Sequence, residues 1–317
     1  MRVLWVLTRS LTLCTSNFKS CSKPYYFNHP LQFLTHNVYQ QQYQSRRNLI
    51  FDSSASEFVK LHNLQGSDSG IVDVRLDRPG AKNAIGKDML QGLHHTLELI
   101  EQNSYTNVAI ISSSVPGVFC AGADLKERRT MNEPEVKDFV NSLRSTFSFL
   151  EAVRVPTIAV IEGVALGGGL EMALACDIRI CGEDALMGLP ETGLAIIPGA
   201  GGTQRLPRLV GHSIAKDIIY TGRKINGKEA LSIGLVNYCV AAGEAYLKAL
   251  AMARDINQKG PVAIRMAKRA INEGTETDLT SALALEEDCY DQVLITKDRL
   301  EGLAAFAEKR KPRFTGK

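Results

Sequence analysis

The chain has no aspartate or glutamate before Asp52. Basic residues are scattered through this acid-free stretch among serine, threonine, asparagine, glutamine and tyrosine: Arg2, Arg9, Lys19, Lys23, Arg46 and Arg47. This composition is typical of an organellar transit peptide, whereas Arg9 interrupts the first apolar run and argues against a secretory signal. We therefore predict a transit peptide over residues 1–50, cleaved soon after Arg46-Arg47, and a mitochondrial matrix location. A plastid or peroxisome is the alternative location, and a disordered tail is the alternative interpretation of the segment.

Long apolar runs and a strong net charge are also lacking. No apolar stretch reaches the roughly eighteen residues that a membrane-spanning helix needs, so we predict no membrane association. The formal net charge is only +3, which is too small to favour a nucleic acid or an anionic membrane as a partner. With 317 residues, 44% of them hydrophobic and 22% charged, the chain has a globular composition and ample length for a buried core.

Several cofactor and metal motifs are missing. The seven cysteines include no C-x-x-C pair and the six histidines no i, i+4 pair, so neither a metal centre nor a disulfide framework is predicted. No G-x-G-x-x-G follows an apolar strand, which argues against a dinucleotide-binding fold. Gly222–Lys228 matches most of a phosphate-binding loop, but Glu229 stands where a serine or threonine would bind magnesium. We interpret that match as coincidence.

Short apolar runs alternate with longer amphipathic stretches from Gly70 onward. The pattern predicts strands at Ile71–Leu76, Val108–Ser112 and Thr157–Ile161, with helices at about Lys87–Glu101 and Glu133–Leu150. This alternation indicates an α/β fold with crossover connections. After about Gly260 the pattern becomes wholly helical, with predicted helices at Pro261–Glu273 and Leu279–Arg310. We therefore divide the mature chain into a core at residues 57–258 and a C-terminal helical region at residues 259–317.

Two glutamates each lie beside a glycine-rich turn. The predicted strand ending at Ile161 leads to Gly167-Gly168-Gly169, and Glu171 follows in the first turn of a predicted helix. Free N–H groups and the positive end of the helix dipole make such a turn suitable for an anion. The alternative is close helix–strand packing, with Glu171 as a surface acid that compensates the dipole.

The second glutamate, Glu191, precedes Ile196-Ile197 and the turn Pro198–Gly202. Apolar surroundings would raise its pKa and suit it to exchange protons near neutral pH, although it could equally be a solvated turn acid.

Small residues also follow the strand Val108–Ser112, over Cys120–Asp124. One N–H from each small-residue turn would form an oxyanion hole. The alternative is an ordinary loop in which Asp124 caps a helix.

Three of these segments resemble the signature segments of the enoyl-CoA hydratase/isomerase (crotonase) superfamily: Phe119–Lys126, Ala165–Glu171 and Glu191–Arg205. The similarity extends from about Gly70 to the C-terminus. Phe119–Arg128 and Thr296–Gly302 are especially similar to the mitochondrial branch that contains methylglutaconyl-CoA hydratases. The resemblance implies an α/β fold with a crotonase-like spiral of ββα units, a C-terminal helical oligomerisation region at residues 259–317, and homotrimers or homohexamers.

The resemblance also implies roles for single residues. Glu171 would activate a water that adds to C3 of a trans-2-enoyl-CoA, and Glu191 would supply the proton to C2. The oxyanion donors would be the N–H groups of Ala121 and Gly168. Coenzyme A would be held partly near Ala81–Ala84, and the predicted substrate-binding residues are Ala121, Gly122, Ala123, Asp124, Leu125 and Gly168. No metal and no dissociable cofactor are expected, since the substrate is itself a coenzyme A thioester.

Alternatives within the family remain open. Family isomerases generally need only the glutamate at the Glu191 position, so the presence of both acids favours an enoyl-CoA hydratase of fatty-acid or branched-chain amino-acid breakdown. A 3-methylglutaconyl-CoA hydratase of leucine degradation is the named alternative; its substrate has a second carboxylate, for which Lys126, Arg128 and Arg129 are candidate partners. A related hydratase binds RNA through a lysine-bearing helix, but the corresponding helix here mixes Lys82 and Lys87 with acids, which disfavours phosphate binding.

Overall fold

Two β-sheets form the framework of this protein in a computed structural model that describes residues 56–317. The predicted transit peptide lies outside the described residues. The strands are β1 (Val59–Asn63), β2 (Ile71–Leu76), β3 (Val108–Ser113), β4 (Val118–Cys120), β5 (Thr157–Ile161), β6 (Val164–Leu166), β7 (Ile178–Gly182), β8 (Leu186–Gly188), β9 (Ile225–Asn226) and β10 (Tyr238–Val240).

Eleven α-helices lie in residues 56–317. They are α1 (Lys87–Gln102), α2 (Leu125–Arg128), α3 (Glu133–Ala152), α4 (Gly168–Leu174), α5 (Gly202–Val210), α6 (His212–Thr221), α7 (Gly227–Ser232), α8 (Ala245–Asn257), α9 (Pro261–Gly274), α10 (Leu279–Leu294) and α11 (Lys297–Ala307). A 3-10 helix also covers Glu191–Leu194. No helix in residues 56–317 is both long and apolar enough to span a membrane.

The larger sheet has the strand order β1-β2-β3-β5-β7-β10, and the smaller has the order β4-β6-β8-β9. All neighbours pair in parallel except β1 with β2 and β8 with β9. Strands β3, β5 and β7 of the larger sheet are each followed by a short strand of the smaller sheet and then by a helix. This repeated ββα unit confirms the α/β spiral expected from the sequence.

The large sheet is buried on both faces, which is why its central strands read as continuous apolar runs. Successive side chains of a strand point to opposite faces. One set packs against Ala245, Ala249 and Ala253 on α8, and its members are Ile71, Val108, Ile110, Ile158, Val160 and Ile180. The other set faces the main core between the sheets and the remaining helices, and includes Val72, Val74, Ala109, Ile111, Ala159 and Ile161.

The predicted C-terminal helix at 279–310 is wrong in one respect, because two helices occupy that range. Helix α10 ends at Leu294, and Thr296 starts α11 by accepting a hydrogen bond from the N–H of Arg299 at 3.2 Å. A threonine that caps its own backbone interrupts a helix without any change in hydrophobic periodicity. The other predicted strands and helices agree with the structure to within two residues at the ends compared.

Helix α9 is tied to the core by a lysine. Lys268 donates to the Asp177 carboxylate at 2.8 Å and to the Val155 carbonyl at 3.0 Å. The end of the chain folds back on α11, where Asp298 accepts from the N–H groups of Thr315 and Gly316, each at 2.7 Å. These contacts hold the C-terminal helices in place. The first of these helices, α9, begins at Pro261, just after the predicted boundary between residues 258 and 259.

Candidate active site

A cavity of about 540 Å³ lies where α3, α4 and the segment after β8 meet. It brings together most of the predicted site residues, namely Ala121, Gly122, Ala123, Leu125, Gly168, Glu171 and Glu191. Asp124 does not line it. Its carboxylate accepts from the N–H groups of Lys126 and Glu127 at the start of α2 and pairs with Arg78 at 2.8 Å. The helix-capping alternative therefore describes the contacts of Asp124.

Glu171 enters the cavity from the first turn of α4 and is only 3% exposed. Its Oε1 accepts from the N–H of Ala200 at 2.9 Å and from the N–H of Gly202 at 2.7 Å. Burial raises the pKa of this carboxyl, while the Gly202 and Ala200 hydrogen bonds lower it. The two bonds fix one carboxylate oxygen, and the structure records no hydrogen bond to the other. Glu171 is therefore a buried, oriented acid rather than a surface acid.

The position of Glu171 depends on close packing between α4 and β4. A Cβ atom at Gly169 would lie 2.2 Å from the carbonyl oxygen of Cys120, so no larger residue fits there without displacing the backbone. Gly167, just before the helix, has φ +52°, and a Cβ atom there would lie 3.1 Å from Oε1 of Glu191. The glycine turn thus positions the helix and also leaves room for the second glutamate.

Glu191 begins the 3-10 helix Glu191–Leu194. Its Oε2 is buried and has no hydrogen-bond partner among residues 56–317. Burial raises the pKa of Glu191 to about 7; the nearby Glu171 carboxylate also raises it, and Arg128 lowers it. A carboxyl group with a pKa near neutrality can both donate and accept a proton, which is the property a general acid–base group requires.

The backbone donors differ from the predicted pair at one position. The N–H of Ala121 already donates to the carbonyl of Lys82 at 3.1 Å. The N–H of Ala123 has no backbone acceptor among residues 56–317. The bridge to Ile85 instead uses the carbonyl of Gly122 and the N–H of Asp124. Of these two residues, both lining the cavity, Ala123 is the one with a free donor.

The other predicted donor, the N–H of Gly168, is the first of α4 and likewise has no recorded acceptor. A Cβ atom at Gly168 would lie 3.6 Å from the Ala123 nitrogen, so the two turns approach closely. Helix-start N–H groups carry the positive end of the helix dipole. Ala123 and Gly168 therefore provide the free donor pair that an oxyanion hole needs, and the structure argues against Ala121 in this role.

Two arginines and an apolar wall complete the cavity. Arg128, at the end of α2, and Arg144, on α3, both line it, together with Leu125, Val140, Leu143, Leu194, Ile196 and Ile197. Arg144 donates to the carbonyl of Gly199 at 2.9 and 3.1 Å. The sequence marked Arg128 as a candidate but gave no signal for Arg144, which reaches the cavity only because α3 packs beside the segment at residues 194–199.

Another cavity, of about 430 Å³, lies between α5 and α9. Four of its charged side chains are paired with one another: Arg205 with Glu151 at 2.7 Å, and Lys268 with Asp177 at 2.8 Å. It does not bring together carboxylates and free backbone donors as the first cavity does. We therefore assign the candidate site to the first cavity.

The stretch that matches most of a phosphate-binding loop has a structural role, because it connects two helices. The loop-like stretch at residues 222–228 ends α6 at Gly222 and starts α7 at Asn226, whose side chain accepts from the Glu229 N–H at 2.9 Å. Residues 56–317 contain no group of three or more histidine, cysteine, aspartate or glutamate side chains arranged to hold a metal ion.

Comparison with known proteins agrees with this geometry. The sequence profile described as "Enoyl-CoA hydratase/isomerase" matches residues 66–317. The chain belongs to this family. A relative from Arabidopsis thaliana, named "Probable enoyl-CoA hydratase 2, mitochondrial", is 66% identical over 86% of this chain and 91% of its own length. The human protein named "Methylglutaconyl-CoA hydratase, mitochondrial" is 47% identical over 86% of this chain and 81% of its own length.

A solved structure extends the comparison to the fold. The crystal structure of an enoyl-CoA hydratase from Bacillus anthracis has a TM-score of 0.80 and 45% identity, and covers 82% of this chain and all (100%) of that one. The chain is thus an enzyme with the crotonase fold, and the ββα spiral and C-terminal helices of this structure are those of the family.

Proposed function

We propose that this enzyme is a hydro-lyase that adds water to a trans-2-enoyl-CoA and forms a 3-hydroxyacyl-CoA. One observation carries the proposal: the buried Glu171, the half-buried Glu191 and two free backbone N–H groups share one cavity, which also has an apolar wall. If the thioester carbonyl accepted hydrogen bonds from these two donors, C3 of the conjugated acyl chain would become more electrophilic. The family match and the hydratase names of the relatives support the same reaction.

The N–H groups of Ala123 and Gly168 would stabilise the enolate that forms as the nucleophile adds. Donors already fixed in the fold stabilise such a charge without reorganising at the moment of reaction. Ala123 replaces Ala121 in this proposal because the Ala121 N–H is already bonded to the Lys82 carbonyl. The thioester oxygen would accept both hydrogen bonds, and the negative charge would return to C2 when that carbon takes its proton.

Glu171 would act as the base. Its Oε1 is held by two backbone N–H groups, so Oε2 is the oxygen that can take a proton from water. Glu191 would donate a proton to C2, since its raised pKa keeps it partly protonated at neutral pH. The C2–C3 π bond and one O–H bond of water are broken, and a C–O bond forms at C3 and a C–H bond at C2. Glu171 gains the proton that leaves the water, and Glu191 loses the proton that C2 receives. A second proton exchange returns each glutamate to its starting state. No dissociable cofactor enters this scheme.

The direct test uses the purified mature protein with crotonyl-CoA in ¹⁸O-labelled water. Formation of labelled 3-hydroxybutyryl-CoA, together with loss of the ultraviolet absorbance of the conjugated thioester, is the expected result. A matched assay with a 3-enoyl-CoA tests the isomerase alternative. Rapid conversion of the 3-enoyl-CoA to the 2-enoyl-CoA, without incorporation of ¹⁸O from the water into crotonyl-CoA, would contradict hydration and favour double-bond migration.

The acyl group is a further part of the proposal. A straight-chain 2-enoyl-CoA of fatty-acid breakdown fits the apolar wall of the cavity, and 3-methylglutaconyl-CoA of leucine breakdown is the second candidate. The name of the human relative and the arginines in the cavity support 3-methylglutaconyl-CoA as a candidate. Comparing kcat/KM for crotonyl-CoA and 3-methylglutaconyl-CoA on the same preparation distinguishes them.

Location and assembly are further parts of the proposal. We propose a mitochondrial matrix enzyme, because the acid-free leader fits a transit peptide and several relatives carry "mitochondrial" in their names. We also propose that it assembles as a homotrimer or homohexamer through its C-terminal helices. We propose no nucleic-acid partner, because the acidic Glu98 lies on α1 and contacts both His94 and His95 of that helix.

A further inference from the structure

Arg128 is a cation in the candidate active site that makes no close ion pair with any of residues 56–317. Its side chain is partly buried and lines the cavity that holds Glu171 and Glu191. Among residues 56–317, no carboxylate lies within 4.0 Å of its guanidinium, whereas arginines elsewhere in the protein form close pairs, such as Arg205 with Glu151. A partly buried charge of this kind is stabilised by an opposite charge, which a ligand can supply.

The surroundings of Arg128 favour the acyl end of a substrate. Arg128 and Glu191 line the same cavity, and the positive charge of Arg128 lowers the pKa of that glutamate. Leu143, Leu194 and Ile196 line the same cavity and suit a short carbon chain. Arg144 adds a second guanidinium with only neutral partners, the Gly199 carbonyl and the Asn141 amide.

The two neighbouring basic residues that the sequence also offered do not share this position. Lys126 and Arg129 are exposed, and neither lines the cavity. Helix α2 is a single short turn, so successive side chains point in different directions and only one of the three faces inward. Of these three basic residues, the fold therefore places only Arg128 at the cavity. The exposed Arg129 next to it serves as a matched control.

The geometry points to a carboxylate-binding subsite at the end of the acyl pocket, in which Arg128 is the main cation and Arg144 the second. The inference rests on the proposed function and assigns its substrate class: 2-enoyl-CoA thioesters of short dicarboxylic acids. A planar guanidinium binds a carboxylate through paired hydrogen bonds, so it selects for the presence and direction of that group as well as for its charge.

The test compares two substrates that differ only at C5. Glutaconyl-CoA carries a carboxylate there, and trans-2-pentenoyl-CoA carries a methyl group. The wild-type enzyme is expected to have the higher kcat/KM for glutaconyl-CoA. Arg128→Gln is expected to lower the ratio of the two kcat/KM values by at least about tenfold, in line with hydrogen bonds to charged groups. Arg128→Lys should restore part of that ratio, and Arg129→Gln should leave it unchanged.

A binding measurement separates this inference from the reaction. Glutaryl-CoA and pentanoyl-CoA are saturated and cannot be hydrated, so calorimetric titration compares their affinities even if the enzyme proves not to be a hydratase. The wild-type protein should bind glutaryl-CoA more tightly, and Arg128→Gln should remove that preference. Equal affinities in the wild type, or equal losses for both ligands in Arg128→Gln, would overturn the subsite. The second result would assign Arg128 to the coenzyme A portion.

Discussion

At the scale of single residues, the two glutamates are held in different ways, and this difference suits opposite roles. Glu171 has one oxygen fixed by two backbone N–H groups, whereas Glu191 has a buried oxygen with no partner among the described residues. A fixed acid with spare hydrogen-bonding capacity can orient a water. An unpartnered buried acid keeps its proton more readily, because its charged form is poorly solvated.

Replacing either glutamate is expected to remove most of the hydratase activity. Glu171→Gln and Glu191→Gln each retain the shape of the side chain but cannot exchange a proton. We expect kcat/KM for crotonyl-CoA to fall by at least about a hundredfold in each, the usual scale of an acid–base contribution. A steady-state ultraviolet assay measures this. Glu57→Gln changes an exposed acid outside the cavity and serves as the control. Near-normal hydration by Glu171→Gln would contradict the two-glutamate mechanism.

The activity is expected to decline at alkaline pH because Glu191 must hold a proton to supply C2. Its pKa is raised to about 7, so the protonated form is present below that pH and is lost as the pH rises through it. The kcat/KM profile should therefore fall with an apparent pKa near 7, which belongs to the coupled pair of glutamates rather than to one residue.

Arg128 provides a second test of this assignment. The positive charge of Arg128 lowers the pKa of Glu191, so Arg128→Gln is expected to raise that pKa and move the alkaline decline to higher pH. Profiles of kcat/KM for pentenoyl-CoA from pH 5 to 9 measure the shift. Arg129→Gln, which alters an exposed neighbour, should retain the wild-type profile. A shift to lower pH would show that the titrating group is not Glu191.

At the scale of secondary-structure elements, the start of α4 is the decisive feature. It supplies the Gly168 N–H and the Glu171 carboxylate from one turn, and it packs directly on β4. The sequence identified β5 and the glycine run correctly because β-propensity and missing side chains are local properties. It misjudged the long C-terminal helix, since the break at Thr296 depends on one side chain bonding to its own backbone.

Packing at Gly169 is expected to tolerate no side chain. In Gly169→Ala, the new Cβ atom would lie 2.2 Å from a backbone oxygen of β4, which cannot move as a flexible side chain could. We expect a loss of about 1–3 kcal/mol or more in the free energy of unfolding, the usual cost of overpacking. Chemical denaturation followed by circular dichroism measures it. At Gly80, where nothing lies within 4 Å of a Cβ atom, alanine should cause little change. Equal stability of the two variants would contradict the packing described here.

At the scale of the whole molecule, the C-terminal helices expose many large apolar side chains. The large exposed side chains on and next to α10 and α11 are Leu279, Leu283, Tyr290, Leu294, Ile295, Leu300, Leu303 and Phe306. Exposed apolar patches of this kind mark protein–protein contact sites. They lie in the region that the family resemblance assigns to oligomer contacts.

Assembly is expected to depend on this surface. Light scattering coupled to size-exclusion chromatography should give the mass of a trimer or hexamer for the mature wild-type protein. Combined Leu303→Ser and Phe306→Ser, at side chains that are 60% and 87% exposed, should shift it toward the monomer because polar groups replace the buried apolar contact. Tyr105→Ser alters an equally exposed side chain (85%) on the core and should leave the mass unchanged. A monomeric wild-type protein would contradict the proposal.

The sequence by itself determined the α/β class and the two glutamates with their glycine turns. These features follow from period, composition and local chemistry, which are written along the chain. Only the tertiary structure decided which backbone donor is free, because the Ala121 N–H is occupied by a carbonyl from the loop at Lys82. It also decided that Arg128 faces the cavity while Lys126 and Arg129 do not. Both outcomes depend on contacts between segments far apart in the chain, and hydrophobic periodicity carries no record of such contacts.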